Sequence, residues 1–277
     1  MSSVLSRRGF VVAGAAAFCA TEAAAQTLVQ LPVSATRKAD VTVWTPKGEA
    51  AGVLLFSHGH GSWPDRYAAL VAGLTGAGYA VVAPLHVDSV RHADRAKYGA
   101  QASFAERLAD MKAASAYAAK RWPGAPVAAV GHSFGTLIGL CLGGALAYLA
   151  PFRDPSVKAV LGYSTPGRIP GLVQPAAYAS LKTPMMIVTG DNDVVPGFAT
   201  DPADHLFPVR TAPAGAAFGL VLEGAAHDLA GGQPAELFRR GRDAGLAFLA
   251  AYVRDDAEAR AQLLARTDAP PERWIVR

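Results

Sequence analysis

The sequence predicts an α/β domain built on a mostly parallel sheet with helices on both faces. Two observations predict it. Short apolar, β-rich runs alternate with alanine-rich stretches along the chain, and strands that are apolar throughout must be covered on both sides. Glycine-containing polar segments at 58–61, 131–135, 190–196 and 223–227 each follow such a run directly. That places them at the C-terminal ends of strands, where open α/β sheets bind their ligands.

Taken in order, residues 41–44 and 52–57 (GVLLFS) read as strands, 67–77 as a helix stopped by Gly78, and 79–83 (YAVVA) as the next strand. A loop over 84–100 leads to helical spacing at 104–121. Residues 126–130 (PVAAV) form a strand, 133–146 a helix and 158–163 (KAVLGY) a strand. Strands at 184–189 (PMMIVT) and 218–222 (FGLVL) and a closing helix over 234–253 complete the series. The segment between Tyr163 and Pro184 is short, so no large lid is expected, and no internal repeat or second domain is evident.

The first residues read as an address rather than as part of the fold. Arg7-Arg8 stands before an apolar stretch over 10–20, and Ala23-Ala24-Ala25 precedes Gln26 as an A-x-A-like cleavage site. A charged start, a short apolar middle and small residues at the end make a secretory signal. The arginine pair points to the twin-arginine route, and the apolar run is shorter than the roughly 20 residues needed to span a bilayer. Residues 1–25 are thus expected to be a signal and 26–277 a single domain, exported to the periplasm or the medium. At 51% hydrophobic and 17% charged residues the chain can build a large core, and stable membrane insertion is not expected. The formal charge of +4 includes Arg7, Arg8 and Glu22 and falls to +3 without them. No dense basic cluster with interleaved aromatics suggests nucleic-acid binding. Cys141 would stand alone after cleavage, so no internal disulfide is expected.

Gly131-His132-Ser133-Phe134-Gly135 is G-x-S-x-G between a strand and a helix. Glycines there permit a sharp turn that lifts a serine hydroxyl above the sheet, in front of helix N–H groups that favour a developing anion. Serine needs a base, and the base an orienting acid. His227 follows the strand FGLVL, and two aspartates, Asp191 and Asp193, follow PMMIVT, in the order serine, acid, histidine. The loop Ser57-His58-Gly59-His60-Gly61 follows an early strand. It makes the backbone N–H groups of His60 and Phe134 a natural pair of oxyanion donors. Its H-x-H spacing could instead hold a metal, but no third ligand is nearby in sequence; His58 reads better as a brace for the loop, and neither a metal nor a cofactor is expected. The 84–100 loop, with His86, Asp88, Arg91, His92 and Arg95, is read as a cleft wall or as a solvated surface loop. Trp63 is read as a pocket lining or as packing beside the turn.

On these motifs the region 26–277 resembles the α/β-hydrolase superfamily. The pairing of F-S-H-G-H-G with G-H-S-F-G resembles the branch of platelet-activating-factor acetylhydrolases, chlorophyllase-like esterases and cutinase-like polyester hydrolases. The resemblance implies hydrolysis of small-molecule or polymeric carboxylic esters without a cofactor. It implies Ser133, Asp193 and His227 as the triad, with Asp193 favoured over Asp191 as the fourth residue of the G-x-x-D turn before Val-Val-Pro. Dienelactone hydrolases are similar in size but use a cysteine where this chain has Ser133. Acyl transfer to an alcohol or a peroxide would use the same residues. The intact set of three argues against a non-catalytic binding module.

Overall fold

The computed structural model describes residues 24–277. The expected signal lies outside the described residues up to position 23. Nine strands form one sheet: β1 (Ala25–Pro32), β2 (Lys38–Thr45), β3 (Gly52–Ser57), β4 (Tyr79–Pro84), β5 (Val127–His132), β6 (Val157–Tyr163), β7 (Met185–Asn192), β8 (Ala217–Ala226) and β9 (Glu272–Val276). Their spatial order is β1-β2-β4-β3-β5-β6-β7-β8-β9. From β4 to β8 every neighbouring pair is parallel, while β1–β2, β2–β4 and β8–β9 are antiparallel.

The central strands are apolar throughout because both of their faces are covered. Alternation along each strand divides the side chains between two cores. Val53, Leu55, Val127, Ala129, Val160, Met185 and Ile187 point to one face, where α2 (Ala100–Arg121) and α3 (Phe134–Leu142) supply Met111, Ala114, Leu137 and Cys141. Leu54, Phe56, Ala128, Val130, Leu161, Met186 and Val188 point to the other face. There α1 (Ala68–Gly76) and α5 (Ala235–Val253) supply Leu70, Leu74, Phe248 and Leu249.

Several elements differ from the sequence expectation. The helix expected over 133–146 ends at Leu142, because Gly143 and Gly144 follow and Gly144 adopts φ +112°. The helix before β5 begins at Ala100 rather than at 104. Strands β1 and β9 and the helices α4 (Phe207–Thr211) and α6 (Ala257–Ala265) were not anticipated. The side chain of Asp256 caps α6 by accepting the Ala259 N–H at 3.0 Å, as N-caps do. Residues 164–184 hold no helix or strand.

Candidate active site

Ser133 sits between β5 and α3 with φ 54° and ψ −117°, a backbone conformation that non-glycine residues reach only at a cost of order 1–3 kcal/mol. The flanking glycines make the turn possible by close approach. A Cβ on Gly135 would lie 1.8 Å from the Ser57 carbonyl oxygen, and one on Gly131 would lie 2.4 Å from the Gly135 carbonyl. Main chain from β3, β5 and α3 therefore meets directly beneath the serine.

His227 follows β8, and the Ser133 hydroxyl donates to its Nε2 at 3.0 Å. On its other side, His227 Nδ1–H donates to Asp193 Oδ1 at 2.7 Å and approaches Ser164 Oγ at 2.9 Å. Asp193 follows a bulge in β7 between Gly190 and Asn192 and is 1% exposed. It also accepts from Thr189 Oγ1 at 2.6 Å and from His205 Nε2 at 3.0 Å. Burial works to raise its pKa, but the hydrogen bonds from His205 and His227 outweigh this and hold the carboxyl well below the usual carboxylate range. Asp191 is exposed and turns elsewhere, accepting the Gly224 N–H at 2.7 Å. The structure thus brings Ser133, His227 and Asp193 together and leaves Asp191 bracing a loop.

The first half of the expected oxyanion pair lies on the loop after β3. The Gly59 N–H donates to Tyr67 Oη at 3.0 Å, and the Gly61 N–H to Asp88 Oδ2 at 3.2 Å. Around Ser133, its own N–H bonds the Tyr163 carbonyl and the Thr136 N–H the Ser133 carbonyl. The N–H groups of His60 and Phe134 have no acceptor among the described residues, and the two rings stand 6.3 Å apart. Phe134 opens α3, so its N–H lies among the donors that the helix itself cannot satisfy.

Four further residues of the site were not singled out from the sequence. His132 connects the two loops: the Tyr67 hydroxyl donates to its Nδ1 at 2.9 Å, and its Nε2–H donates to the His227 carbonyl at 2.7 Å. Burial, with His227 beside it, lowers the His132 pKa to about 3, so the ring is neutral. His205 and Ser164 close a ring behind the acid. Ser164 Oγ lies 3.2 Å from His205 Nδ1, and the Thr165 N–H points at the same nitrogen from 3.1 Å. Burial opposes a charge on His205 and the Asp193 carboxylate favours one, with a net upward pKa shift. The Thr165 N–H, a fixed donor facing Nδ1, nevertheless assigns the proton to Nε2, where Asp193 receives it. His132 was in view as the second residue of the motif; His205 carries no local signal.

Asp193, His205 and His227 each offer one ligand atom within 4.8 Å of the others. A metal would need His205 Nε2 unprotonated, which would move the proton to Nδ1 and against the Thr165 N–H. The set is better suited to hydrogen bonding than to a cation. The H-x-H residues do not converge either. His58 is buried with Nδ1 on the Gly59 carbonyl and Nε2 accepting the His86 N–H, while His60 is largely exposed and faces Asp88. The 84–100 loop divides: His86 to Ser89 is buried beneath the oxyanion loop, whereas Val90, Arg91 and residues 93–97 are exposed. Trp63 is partly buried with the Arg91 guanidinium 4.1 Å from its ring centroid.

A family model described as serine aminopeptidase, S33, matches residues 48–161. No curated protein matches the chain. Among solved structures, a thermostable carboxyl esterase from Bacillus coagulans is similar with a TM-score of 0.64 and 13% identity, covering 84% of this chain and 100% of that one. A dienelactone hydrolase from Anabaena variabilis is similar with a TM-score of 0.60 and 17% identity over 84% and 100%. An α/β serine hydrolase homologue from Coxiella burnetii reaches 0.59 and 21% identity over 80% and 95%. Sheet order, the turn at Ser133 and these likenesses together show that the chain has the α/β-hydrolase fold.

Proposed function

We propose that this chain is a serine hydrolase that cleaves carboxylic esters through an acyl-enzyme. The observation that carries the reading is the continuous chain from Asp193 through His227 to Ser133, at 2.7 and 3.0 Å, with the serine on a strained turn. His227 Nε2 takes the proton as Ser133 Oγ attacks the carbonyl carbon, and the Asp193 carboxylate holds the imidazole through Nδ1. The oxyanion is received by the N–H groups of His60 and Phe134. His227 then returns the proton to the leaving alcohol. In the second half it takes a proton from water, whose oxygen attacks the acyl carbon, and passes it to Ser133 Oγ as the ester bond to the serine breaks and the acid is released.

The F-S-H-G-H-G and G-H-S-F-G pair supports an ester-cleaving branch, and esterases among the structural likenesses support the same direction. The family model's description favours a second reading, aminopeptidase activity. A panel of p-nitrophenyl esters from acetate to palmitate, a polyester film and aminoacyl-naphthylamides separates the two. Ser133→Ala should fold, lose several orders of magnitude of activity, as expected for a lost triad member, and escape a fluorophosphonate probe that labels the wild type. Labelling of the variant would remove the assignment.

We also propose that residues 1–25 export the enzyme by the twin-arginine route. No helix among the described residues is long and apolar enough to cross a membrane. Changing Arg7 and Arg8 to lysine keeps the charge but should retain the active precursor in the cytoplasm. Normal export of that variant would assign the signal to the general route.

A further inference from the structure

We propose that Arg107 is a positioning residue for the oxyanion hole, turning the His60 N–H toward Ser133 by holding the carbonyls that precede it. This rests on the reading that His60 and Phe134 receive the oxyanion. Arg107 lies on α2 and is fully buried. All five of its N–H donors are engaged. Nε donates to Asp88 Oδ1 at 2.7 Å. Nη1 donates to the His58 carbonyl at 2.6 Å and to Ser57 Oγ at 3.3 Å. Nη2 donates to the Gly59 carbonyl at 3.0 Å and to Asp88 Oδ2 at 2.8 Å.

A trans peptide is planar, so its C=O and the next N–H point in opposite directions. Fixing the His58 carbonyl on Arg107 sends the Gly59 N–H the other way, and that N–H meets Tyr67 Oη. Fixing the Gly59 carbonyl, which also receives His58 Nδ1–H at 2.8 Å, sends the His60 N–H away from the arginine by the same rule. Asp88, paired with Arg107, pulls the next N–H, that of Gly61, into the protein. His60 is left as the N–H of this loop directed outward. The guanidinium carbon also lies 4.6 Å from the centroid of the Phe134 ring, so one side chain touches Phe134 and the peptide that carries the His60 N–H.

Two features argue that this geometry is what the arginine supplies. A buried Arg–Asp pair is often no more stabilising than apolar residues of similar volume, so stability alone does not account for it. Gly59 is pressed against His132, where a Cβ would lie 2.7 Å from Nδ1. A glycine rotates readily about its own φ and ψ. Without the arginine the Gly59 carbonyl keeps only the His58 Nδ1–H and the Ser62 N–H, at 2.8 and 3.1 Å, and the Gly59–His60 peptide loses the fork that fixes its angle.

The test compares an ester with its thionoester in the full-length chain, because sulfur accepts hydrogen bonds poorly and reports on the donors. Lysine has one nitrogen in place of a fork. Arg107→Lys should therefore lower kcat for the ester by about 10²-fold, as for loss of one oxyanion donor. KM should change little, and the thionoester should suffer much less, so the ester-to-thionoester ratio collapses. The double variant Arg107→Met with Asp88→Leu removes both charges and should lose the same ratio. A wild-type ratio in that double variant, or equal loss of both substrates tracking the melting temperature in Arg107→Lys, would overturn the proposal. Failure of the underlying reading is distinct: the wild type would then show no preference for the ester, or Ser133→Ala would stay active.

Discussion

Burial holds three histidines below their ordinary pKa, and this makes the stability of the fold depend on pH in a defined direction. Burial, reinforced by the Arg107 guanidinium, holds His58 and His86 well below the ordinary histidine value; burial and His227 lower His132 to about 3. In the unfolded chain each would titrate near 6.5. Below that pH the unfolded state takes up three protons that the folded state refuses, so folding weakens as pH falls. Asp110 opposes this. Burial raises it to about 6 despite Arg37, so the folded state holds one proton there that the unfolded state releases until about pH 4. Between pH 6 and 5 the balance is two protons in favour of the unfolded state. At about 1.36 kcal/mol per proton and pH unit, stability should drop by about 3 kcal/mol. That is a large share of the 5–15 kcal/mol typical of a domain. Urea unfolding at pH 7, 6 and 5, with the slope checked for constancy, measures it. His132→Gln should reduce the drop by about half, one proton's worth. Stability that is flat or rises from pH 6 to 5 would refute the assignment of three neutral histidines.

Asp193→Asn should lower kcat by about 10⁴-fold, because an amide favours the wrong imidazole tautomer. Asp191→Asn, which still offers an oxygen to the Gly224 N–H, should stay within about 0.5 kcal/mol of wild-type stability and near wild-type turnover; the opposite ranking would exchange their roles. Gly135→Ala drives a methyl group into the Ser57 carbonyl and should cost more than about 4 kcal/mol or abolish soluble expression; a normal thermal melt would contradict the close approach. His205→Phe removes a donor from a buried carboxylate and should cost about 1.5–3 kcal/mol by urea unfolding, with His205→Gln recovering most of it by donating in its place. Chelators should leave activity and melting temperature unchanged, and strong inhibition would return Asp193, His205 and His227 to consideration as ligands.

The parallel strands were readable because burial on two faces forces an uninterrupted apolar run, as in GVLLFS. The edges were not. β1 (AQTLVQLP) is mostly exposed, and β9 takes its place only by pairing with β8 from across the sequence. At the site, Ser133 and His227 were legible because a local turn and a strand end announce them. The choice between Asp191 and Asp193 depends on the β7 bulge, which aims one inward and the other outward, and residue type alone does not encode that. Arg107, Tyr67 and His205 act through partners brought near only by the sheet. Tyr67 and His132 are 65 positions apart, so no spacing pattern could have joined them.

The bridge from Gly59 through Tyr67 and His132 to the His227 carbonyl divides the cleft into parts with different tolerance for change. The loop that carries the His60 N–H and the loop that carries His227 hang from one chain of buried and part-buried hydrogen bonds, so a substitution that shifts either shifts both. Beside them, Val90, near Gly61, and Val194, next to Asp193, are exposed, and neither side chain enters that chain. Attempts to retune substrate range by mutagenesis should therefore start at these two positions. Libraries that include Tyr67 or His132 should return mostly inactive clones, whatever substrate is screened.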